Sequence, residues 1–183
     1  LKNNYKTREF YCLSEIVAGE KITSKLKKLS SILKKKKIKN IFISAPENCA
    51  WLLNIRGFDN PNSPIPNCQL FLDNKKNFYL ICNKKKTKNL IKHKKIYSSQ
   101  IIQPENFERF LNKIKNKKIL IDSKTCSLFY ENIFKKNMKV FKHQDPIYLL
   151  KAIKNKIEIK NMINSHINDG VALTKFLYWI KKI

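Results

Sequence analysis

The chain is poor in the residues from which most catalytic and metal sites are built. Its 183 residues include only 13 Asp and Glu, three His and three Gly. His93, His143 and His166 are widely separated, and none has the partner ligands that a metal site needs. The acids form no paired motif either; the main ones are Asp59, Asp122, Asp145, Glu158 and Asp169. We therefore predict no catalytic, cofactor-binding or metal-binding residue in this chain.

Signals of secretion and of membrane insertion are also missing. No run of about 18 apolar residues occurs, and the first residues lack an apolar core followed by a cleavage site. Five cysteines occur without a CxxC pair: Cys12, Cys49, Cys68, Cys82 and Cys126. Each lies in or beside an apolar run, so we expect reduced thiols that pack as small hydrophobic groups. These features favour a cytoplasmic protein without a membrane partner.

Basic residues outnumber acidic ones by 39 to 13, giving a formal net charge of +26. Such an excess suggests nucleic-acid binding, because clustered cations neutralise phosphates. All but three of the 39 are Lys, however, whereas base and bidentate phosphate contacts favour Arg. Lys, Asn and Ile make up 82 of the 183 residues, as codon bias in an AT-rich genome would produce. We therefore do not expect nucleic acid to be the partner.

The most distinctive segment covers residues 40 to 67 and reads NIFISAPENCAWLLNIRGFDNPNSPIPN. Its first apolar residues, 41 to 43, predict a buried strand. Ser44 and Pro46 then predict a capped helix, which we expect to be buried on most sides and to end at Asn54. Residues 59 to 67 are rich in Asn and Pro and predict a shaped surface loop.

Strand and helix patterns alternate from residue 18 to residue 144, after a tail at residues 1–17. Ile22, Leu26, Leu29 and Leu33 share one face of a predicted helix from Gly19 to Lys37, with Lys on the opposite side. Two strands, 68–72 and 78–82, predict a β-hairpin. Further helices are expected at 84–92, 104–114 and 128–134, the last capped by Ser123, and further strands at 96–98, 119–122 and 139–141. This order predicts an α/β domain with a mixed sheet flanked by helices.

Six apolar side chains should lie in the core of that domain: Trp51, Leu52, Leu70, Leu80, Leu120 and Phe129. From residue 145 to residue 183 the pattern changes to a linker and one long helix after Asn155. We expect this helix to contact the domain only at its start, leaving Leu173, Leu177 and Ile180 exposed or covered by a second copy. Gly170 predicts close packing of another element, and His166 is expected to be a packed histidine.

Two segments resemble a known family. The run SAPENCAWLLNIRGFDNPNSPIPN resembles the middle, creatinase-like domain of bacterial aminopeptidase P, the Xaa-Pro aminopeptidases, in which an AWLLNxRGxD pattern recurs. The run DPIYLLKAIKNKIEIKNMINSHINDGVALTKFLYWIKK resembles the linker and first helix of that family's pita-bread catalytic domain. Phe58 departs from the pattern, since the family usually has a small polar residue there. The resemblance implies a fragment that ends within the catalytic domain.

The resemblance also implies a chemistry. Members of this family hydrolyse the bond before a proline at the second position of a peptide, using two divalent ions, usually manganese. Their ligands, two Asp, one His and two Glu, lie downstream of the helix with which this chain ends, so we expect the chain alone to be inactive and to lack a manganese site. Arg56 and Asp59 are interpreted as a structural pair at the turn after Asn54, or as residues that shape the cleft or a subunit contact.

Three alternatives stay open at this point. The chain could act as an interaction module, could bind nucleic acid through its Lys surface, or could be the inert remnant of a decayed gene. A homodimer is also compatible with the sequence.

Overall fold

The computed structural model describes residues 8–114 and 118–183. Eight strands are present in the described residues: β1 Tyr11–Cys12, β2 Asn40–Ile43, β3 Ile55–Arg56, β4 Gln69–Asp73, β5 Phe78–Ile81, β6 Ile101–Ile102, β7 Lys118–Ile121 and β8 Lys139–Lys142. The α-helices are α1 Glu15–Ala18, α2 Ile22–Lys35, α3 Pro46–Leu53, α4 Lys88–Lys92, α5 Phe107–Asn112, α6 Leu128–Asn137, α7 Ile147–Ala152 and α8 Lys156–Ile180. Short 3-10 turns precede α4, β6 and α5.

The centre of the fold is a six-stranded mixed sheet in the order β6-β5-β4-β2-β7-β8. The β4–β5 hairpin is antiparallel, as predicted, and β4 also pairs with β2 in antiparallel register, with Phe42 opposite Phe71. Strands β2, β7 and β8 run parallel to one another. A separate pair, β1 with β3, places Tyr11 opposite Arg56. The predicted α/β fold with a mixed sheet is confirmed.

Each face of the sheet has its own hydrophobic core. One face packs against α2 and α3 and includes Leu29, Leu52 and Leu80. The other packs against α5 and α6, where the ring centroids of Phe107 and Phe134 are 5.7 Å apart. Because β2 is covered on both sides, all four of its residues are buried, which explains why its last three residues, 41 to 43, are a continuous apolar run rather than an alternating one.

Four predictions about local structure were wrong. Gly19 does not begin the second helix; it ends α1 in the left-handed conformation with φ 70°, and α2 begins at Ile22. The strand expected at 96–98 lies instead at Ile101–Ile102. Ser123 does not cap α6, because Ser127 does so by accepting a hydrogen bond from the Tyr130 backbone. Ser44 does not cap α3 either, since its hydroxyl bonds to Thr125 at 2.7 Å.

Five of the six predicted core residues are buried, and Phe129 is the exception. Its side chain is 67% exposed. Helix α6 instead turns Ile133 and Phe134 into the sheet, with Tyr130 partly covered beside them. Ile133 and Phe134 follow Tyr130 by three and four positions, so the three side chains share the sheet-facing side of the helix. Phe129 lies one position outside that side.

Non-glycine residues occupy the left-handed region at four turns. Lys37, Asn54, Lys76 and Lys94 have φ values between 51° and 78°. Such positions usually carry Gly or Asn, because a Cβ atom crowds the backbone there. The lysines at three of these turns reflect a chain with only three glycines.

Helix α8 extends away from the sheet domain. Its first turn is closed by a capping box in which Asn155 accepts from the Glu158 backbone and the Glu158 carboxylate accepts from the Asn155 N–H. All of α8 is described and none of its residues is buried. The predicted exposure of Leu173, Leu177 and Ile180 is confirmed, and a Cβ built on Gly170 would meet nothing within 4 Å.

Candidate functional site

The site with the most organised polar chemistry surrounds the end of α3, within the distinctive segment. Pro46 occupies the first turn of α3, and the helix ends at Asn54 in the left-handed conformation. Asn tolerates this conformation better than most residues, and here both polar atoms of its side chain also form hydrogen bonds. Its Nδ2 donates to the Glu20 carbonyl at 2.8 Å, and its Oδ1 accepts from the Lys25 ammonium at 2.7 Å. The end of α3 is therefore fixed to α2.

Lys25 is a buried cation in this arrangement. Only 1% of it is exposed, although the sequence predicts that the lysines of α2 lie on the side opposite its apolar face. The ammonium also donates to the Trp51 carbonyl at 2.9 Å and lies 4.2 Å from the centroid of the Trp51 ring. Burial lowers the pKa of Lys25 to about 8, while the carboxylates of Glu158 and Glu20 act in the opposite direction.

Trp51 connects α3 to the long helix. Its indole Nε1 donates to the Glu158 carboxylate at 3.1 Å, and that carboxylate also closes the capping box of α8. A second link joins Asn155 to α1, where Nδ2 donates to the Ala18 carbonyl at 2.9 Å. Gly19 is required at this contact, because a Cβ there would lie 2.2 Å from the Asn155 Oδ1. The start of α8 is thus held by both α1 and α3.

A cleft of about 430 Å³ opens between these elements. We call it the Trp51 cleft; its walls include Trp51 and Arg56 from the domain and Met162 and His166 from α8. His166 is exposed rather than packed, contrary to expectation. The cleft combines aromatic, cationic and carboxylate groups, which suits the binding of another polypeptide segment better than it suits a chemical reaction.

Arg56 and Asp59 do not form the pair that the sequence suggested, as far as the described residues go. Arg56 donates to the carbonyls of Ala50 at 3.3 Å and Ile55 at 2.9 Å, so it does stabilise the turn after Asn54. Asp59 instead accepts from the Asn67 N–H at 2.6 Å and forms an ion pair with Lys86. It therefore closes the proline-rich loop rather than the turn.

Gly57 lets this loop fold back onto the domain. Its N–H donates to the Pro64 carbonyl at 3.0 Å, and a Cβ at this position would lie 2.7 Å from the Pro66 Cα. Phe58, the departure from the family pattern, packs on Tyr11 with ring centroids 5.2 Å apart. The loop is consequently held by sterics and aromatic packing.

A second polar network lies where the domain meets α7. The Asn48 amide donates to Asp145 at 2.8 Å, the Ile147 N–H donates to the same carboxylate at 2.9 Å, and the Asp145 N–H donates to Asp122 at 2.9 Å. Burial raises the pKa of Asp145 to about 6, and hydrogen bonds from Ile147 and Asn48 oppose that rise. Asp145 is therefore buried, and its hydrogen bonds connect the sheet domain to the start of α7.

The thiols and imidazoles of the described residues do not assemble into a reactive centre. Cys49, Cys68, Cys82 and Cys126 are buried, Cys12 is partly buried, and all five are free thiols, as expected. Burial and the neighbouring Cys68 raise the pKa of Cys49 well above its ordinary value, which keeps it protonated. Within residues 8–114 and 118–183 no group of three or more His, Cys, Asp or Glu could hold a metal ion.

Sequence reasoning located the Trp51 segment but missed Lys25 and Glu158 as parts of it. Lys25 directly precedes Leu26 on the apolar side of α2, and Glu158 is the third helical residue after Asn155, the usual place for a capping box. The capping box at Glu158 could have been found from the sequence. The burial of Lys25 could not, since its position beside Leu26 does not distinguish it from the other lysines among the 36.

A profile of the Creatinase/Prolidase N-terminal domain matches residues 2–158. The chain is 32% identical to Xaa-Pro aminopeptidase 1 of Dictyostelium discoideum and 31% identical to Xaa-Pro aminopeptidase ApepP of Drosophila melanogaster, over 97% and 90% of its own length. It spans only 28% and 27% of those two proteins.

Solved structures agree on the fold. X-prolyl aminopeptidase from Caenorhabditis elegans, described as a cytosolic enzyme with a di-nuclear active site, superposes with a TM-score of 0.78 at 24% identity, covering 96% of this chain and 29% of that one. Xaa-Pro dipeptidase from Bacillus anthracis gives a TM-score of 0.58 at 14% identity, covering 76% of this chain and 38% of that one. At these identities the likeness extends to the fold alone.

Proposed function

The chain belongs to the creatinase/prolidase N-terminal domain family, and from that membership we propose that it is the non-catalytic part of an Xaa-Pro aminopeptidase. In this proposal residues 18–144 form the creatinase-like domain, after a leading segment at 1–17. Residues 145–183 supply the linker and the first helix of the catalytic domain. The peptide substrate, with proline at its second position, is bound by the whole enzyme.

The observation that carries this proposal is the state of α8. Its first turn is held by Trp51 and Ala18, whereas its later turns expose Leu173, Leu177 and Ile180 at about half or more of their surface. A single amphipathic helix gains little stability in water unless its apolar face packs on something. We propose that the covering element is the catalytic domain, for which the Trp51 cleft supplies the adjoining wall.

The catalytic chemistry of the whole enzyme would then lie outside this chain. Two divalent ions, manganese in our proposal, would lower the pKa of a bound water molecule for attack on the peptide bond. In this proposal the part of the described residues is to position α8 rather than to hold the ions. The free thiols and the relative described as cytosolic support a cytoplasmic location. No helix in the described residues is long and apolar enough to cross a membrane.

A chimera tests the proposal directly. The stretch of the Dictyostelium enzyme that aligns with this chain is replaced by this chain, and release of the first residue from an Xaa-Pro peptide is measured with manganese. We expect the chimera to be active. Changing Leu173→Glu with Leu177→Glu should abolish activity, because two carboxylates would enter the contact between α8 and the catalytic domain.

The matched control places the same two charges on the opposite side of the helix, as Asn164→Glu with Asn168→Glu. This pair should leave activity within about twofold, since exposed surface substitutions usually change stability by less than about 0.5 kcal/mol. Equal loss in both pairs would contradict docking through the apolar face.

The chain without its neighbour gives a complementary readout. We expect no hydrolysis and no change in melting temperature on addition of manganese. A bound metal at 100 times its dissociation constant would add about 2.7 kcal/mol to the free energy of unfolding, so a real site would be easy to detect. Peptide hydrolysis by the chain alone would show that the active site has been misplaced.

A further inference from the structure

Strand β8 forms one edge of the six-stranded sheet. In the described residues β7 is its one partner strand. The His143 N–H donates to the Ile121 carbonyl of β7 at 3.0 Å. Since backbone groups alternate sides along a strand, those of Val140 and Lys142 face away from β7. This edge therefore presents a row of donors and acceptors to an additional strand.

An apolar cleft lies beside this edge. It has a volume of about 410 Å³ and lies between the end of α2 and the last two strands. Leu120 and Phe141 are opposite each other in the register of β7 and β8, and together with Ile38 they form its apolar lining. Phe141 is 40% exposed, so the sheet face is incompletely covered at this corner. The space is suited to one apolar side chain.

The surroundings of the cleft carry one sign of charge. Lys36, Lys37, Lys118 and Lys142 are among its lining residues, and none of the lining residues is acidic. Lys139 lies on the same strand face as Phe141, with its ammonium 5.8 Å from that ring. The side chain of Lys142 points to the other face of the strand, where its ammonium pairs with Glu131 at 2.8 Å, so the rim on the Phe141 face consists of the other lysines. An incoming strand therefore meets a cationic rim around an apolar floor.

We propose that the β8 edge binds an acidic peptide in extended conformation, in which an apolar side chain lies beside Phe141 and carboxylates two positions before and after it, on the same face of the peptide, meet the lysine rim. Pairing with the edge provides main-chain hydrogen bonds, and the order of charged and apolar groups along that face provides specificity. A second copy fits poorly, because two edges with the sequence KVFK would bring like charges together. Nucleic acid has no amide backbone that could continue the sheet, and the rim is built from Lys rather than Arg.

Binding is tested with a short fluorescent peptide in which Ser alternates with Glu, Val and Glu, so that both carboxylates and the Val side chain share one face; binding is measured by anisotropy at physiological salt with the full chain. A peptide of identical composition, with the Glu and Val residues at consecutive positions, is the first control. A third peptide keeps the alternating sequence but carries an N-methyl group on every second amide. We expect both changes to weaken binding at least about tenfold, a loss of about 1.4 kcal/mol. Equal binding of the three peptides would overturn the proposal and indicate attraction by net charge alone.

Protein variants locate the site. Lys36→Glu with Lys139→Glu should abolish binding of the alternating peptide. The control, Lys84→Glu with Lys85→Glu, makes the same change of net charge just after β5, near the other edge of the sheet, and should reduce binding less than about threefold. Melting curves confirm that both variants fold. If the two pairs weaken binding equally, or if random duplex DNA displaces the peptide at lower concentration than unlabelled peptide does, the β8 edge is not a peptide site.

Discussion

The sheet domain and helix α8 are both rich in apolar residues at regular spacing, yet they bury them very differently. In the domain Leu52, Leu70 and Leu80 have no exposed surface, whereas in α8 Leu173 and Leu177 are 58% and 51% exposed. The spacing of apolar residues thus indicates which side of an element will be covered. It does not indicate what covers it, because burial also needs a second surface within reach.

The comparison can be tested most strongly by truncating one leucine in each region. Leu52→Ala should reduce the free energy of unfolding by about 2–5 kcal/mol, because it opens a cavity in a packed core. Leu177→Ala should change it by less than about 0.5 kcal/mol. Urea unfolding of the chain measures both values. A loss of similar size at Leu177 would mean that another copy covers α8.

A pair of lysines tests the comparison for charge. Lys25 is buried and its pKa is lowered to about 8, so between that value and its ordinary pKa of 10.5 the unfolded chain binds more protons than the folded one. Stability should therefore rise with pH across this window, by at most about 3 kcal/mol, and the cost of burying the cation should be complete below pH 8.

The variant Lys25→Met should lose this rise, while Lys175→Met on exposed α8 should keep it. The free energy of unfolding is measured at several pH values for both proteins. A Lys25→Met curve parallel to that of the unmodified chain would show that Lys25 is not buried as a cation. At neutral pH the same variant leaves the acceptors of Trp51 and Asn54 unpaired, at a cost of about 1–3 kcal/mol.

Two Gly→Ala substitutions should have the smallest effects on the free energy of unfolding, and these effects should have opposite signs. Gly57→Ala should destabilise the chain by about 1–3 kcal/mol, because its Cβ would lie 2.7 Å from the Pro66 Cα. Gly170→Ala should stabilise it by up to about 1 kcal/mol, because alanine favours the helix and nothing lies within 4 Å. Thermal unfolding reports both. In the chimera with the Dictyostelium enzyme, loss of activity in Gly170→Ala would reveal close packing against α8.

Much of the fold could be predicted from this sequence because local pattern and tertiary structure agree. Strand β2, helix α3 and the β4–β5 hairpin follow directly from apolar runs, a proline at a helix start and a loop of Asn and Asp. The errors arose where several residues could do the same task. Ser123 and Ser127 both precede α6; Asp122 holds the segment at Ser123 in a turn by accepting from the Lys124 N–H, and Ser127 is the residue that caps the first turn of the helix.

The candidate site was less predictable because its contacts join residues far apart in the chain. Lys25 reaches Asn54 across the end of α3, and Trp51 reaches Glu158 across more than one hundred positions. Helical periodicity places Lys25 beside the apolar stripe of α2, but it cannot show that a carbonyl and an amide lie within reach of the ammonium. Such partners depend on how the elements pack.

The attachment of α8 also has a mechanical consequence. At 1.5 Å per residue this 25-residue helix is a rigid arm about 37 Å long, so a tilt of about 10° at its base would move its tip by about 6 Å. The base is braced at three points, by Trp51 to Glu158, by Asn155 to Ala18 and by Asn161 to the Val17 carbonyl. A small shift at any of these three hydrogen bonds therefore produces a larger displacement at the C-terminal end of α8. The position of that end depends on a few hydrogen bonds near the start of the helix.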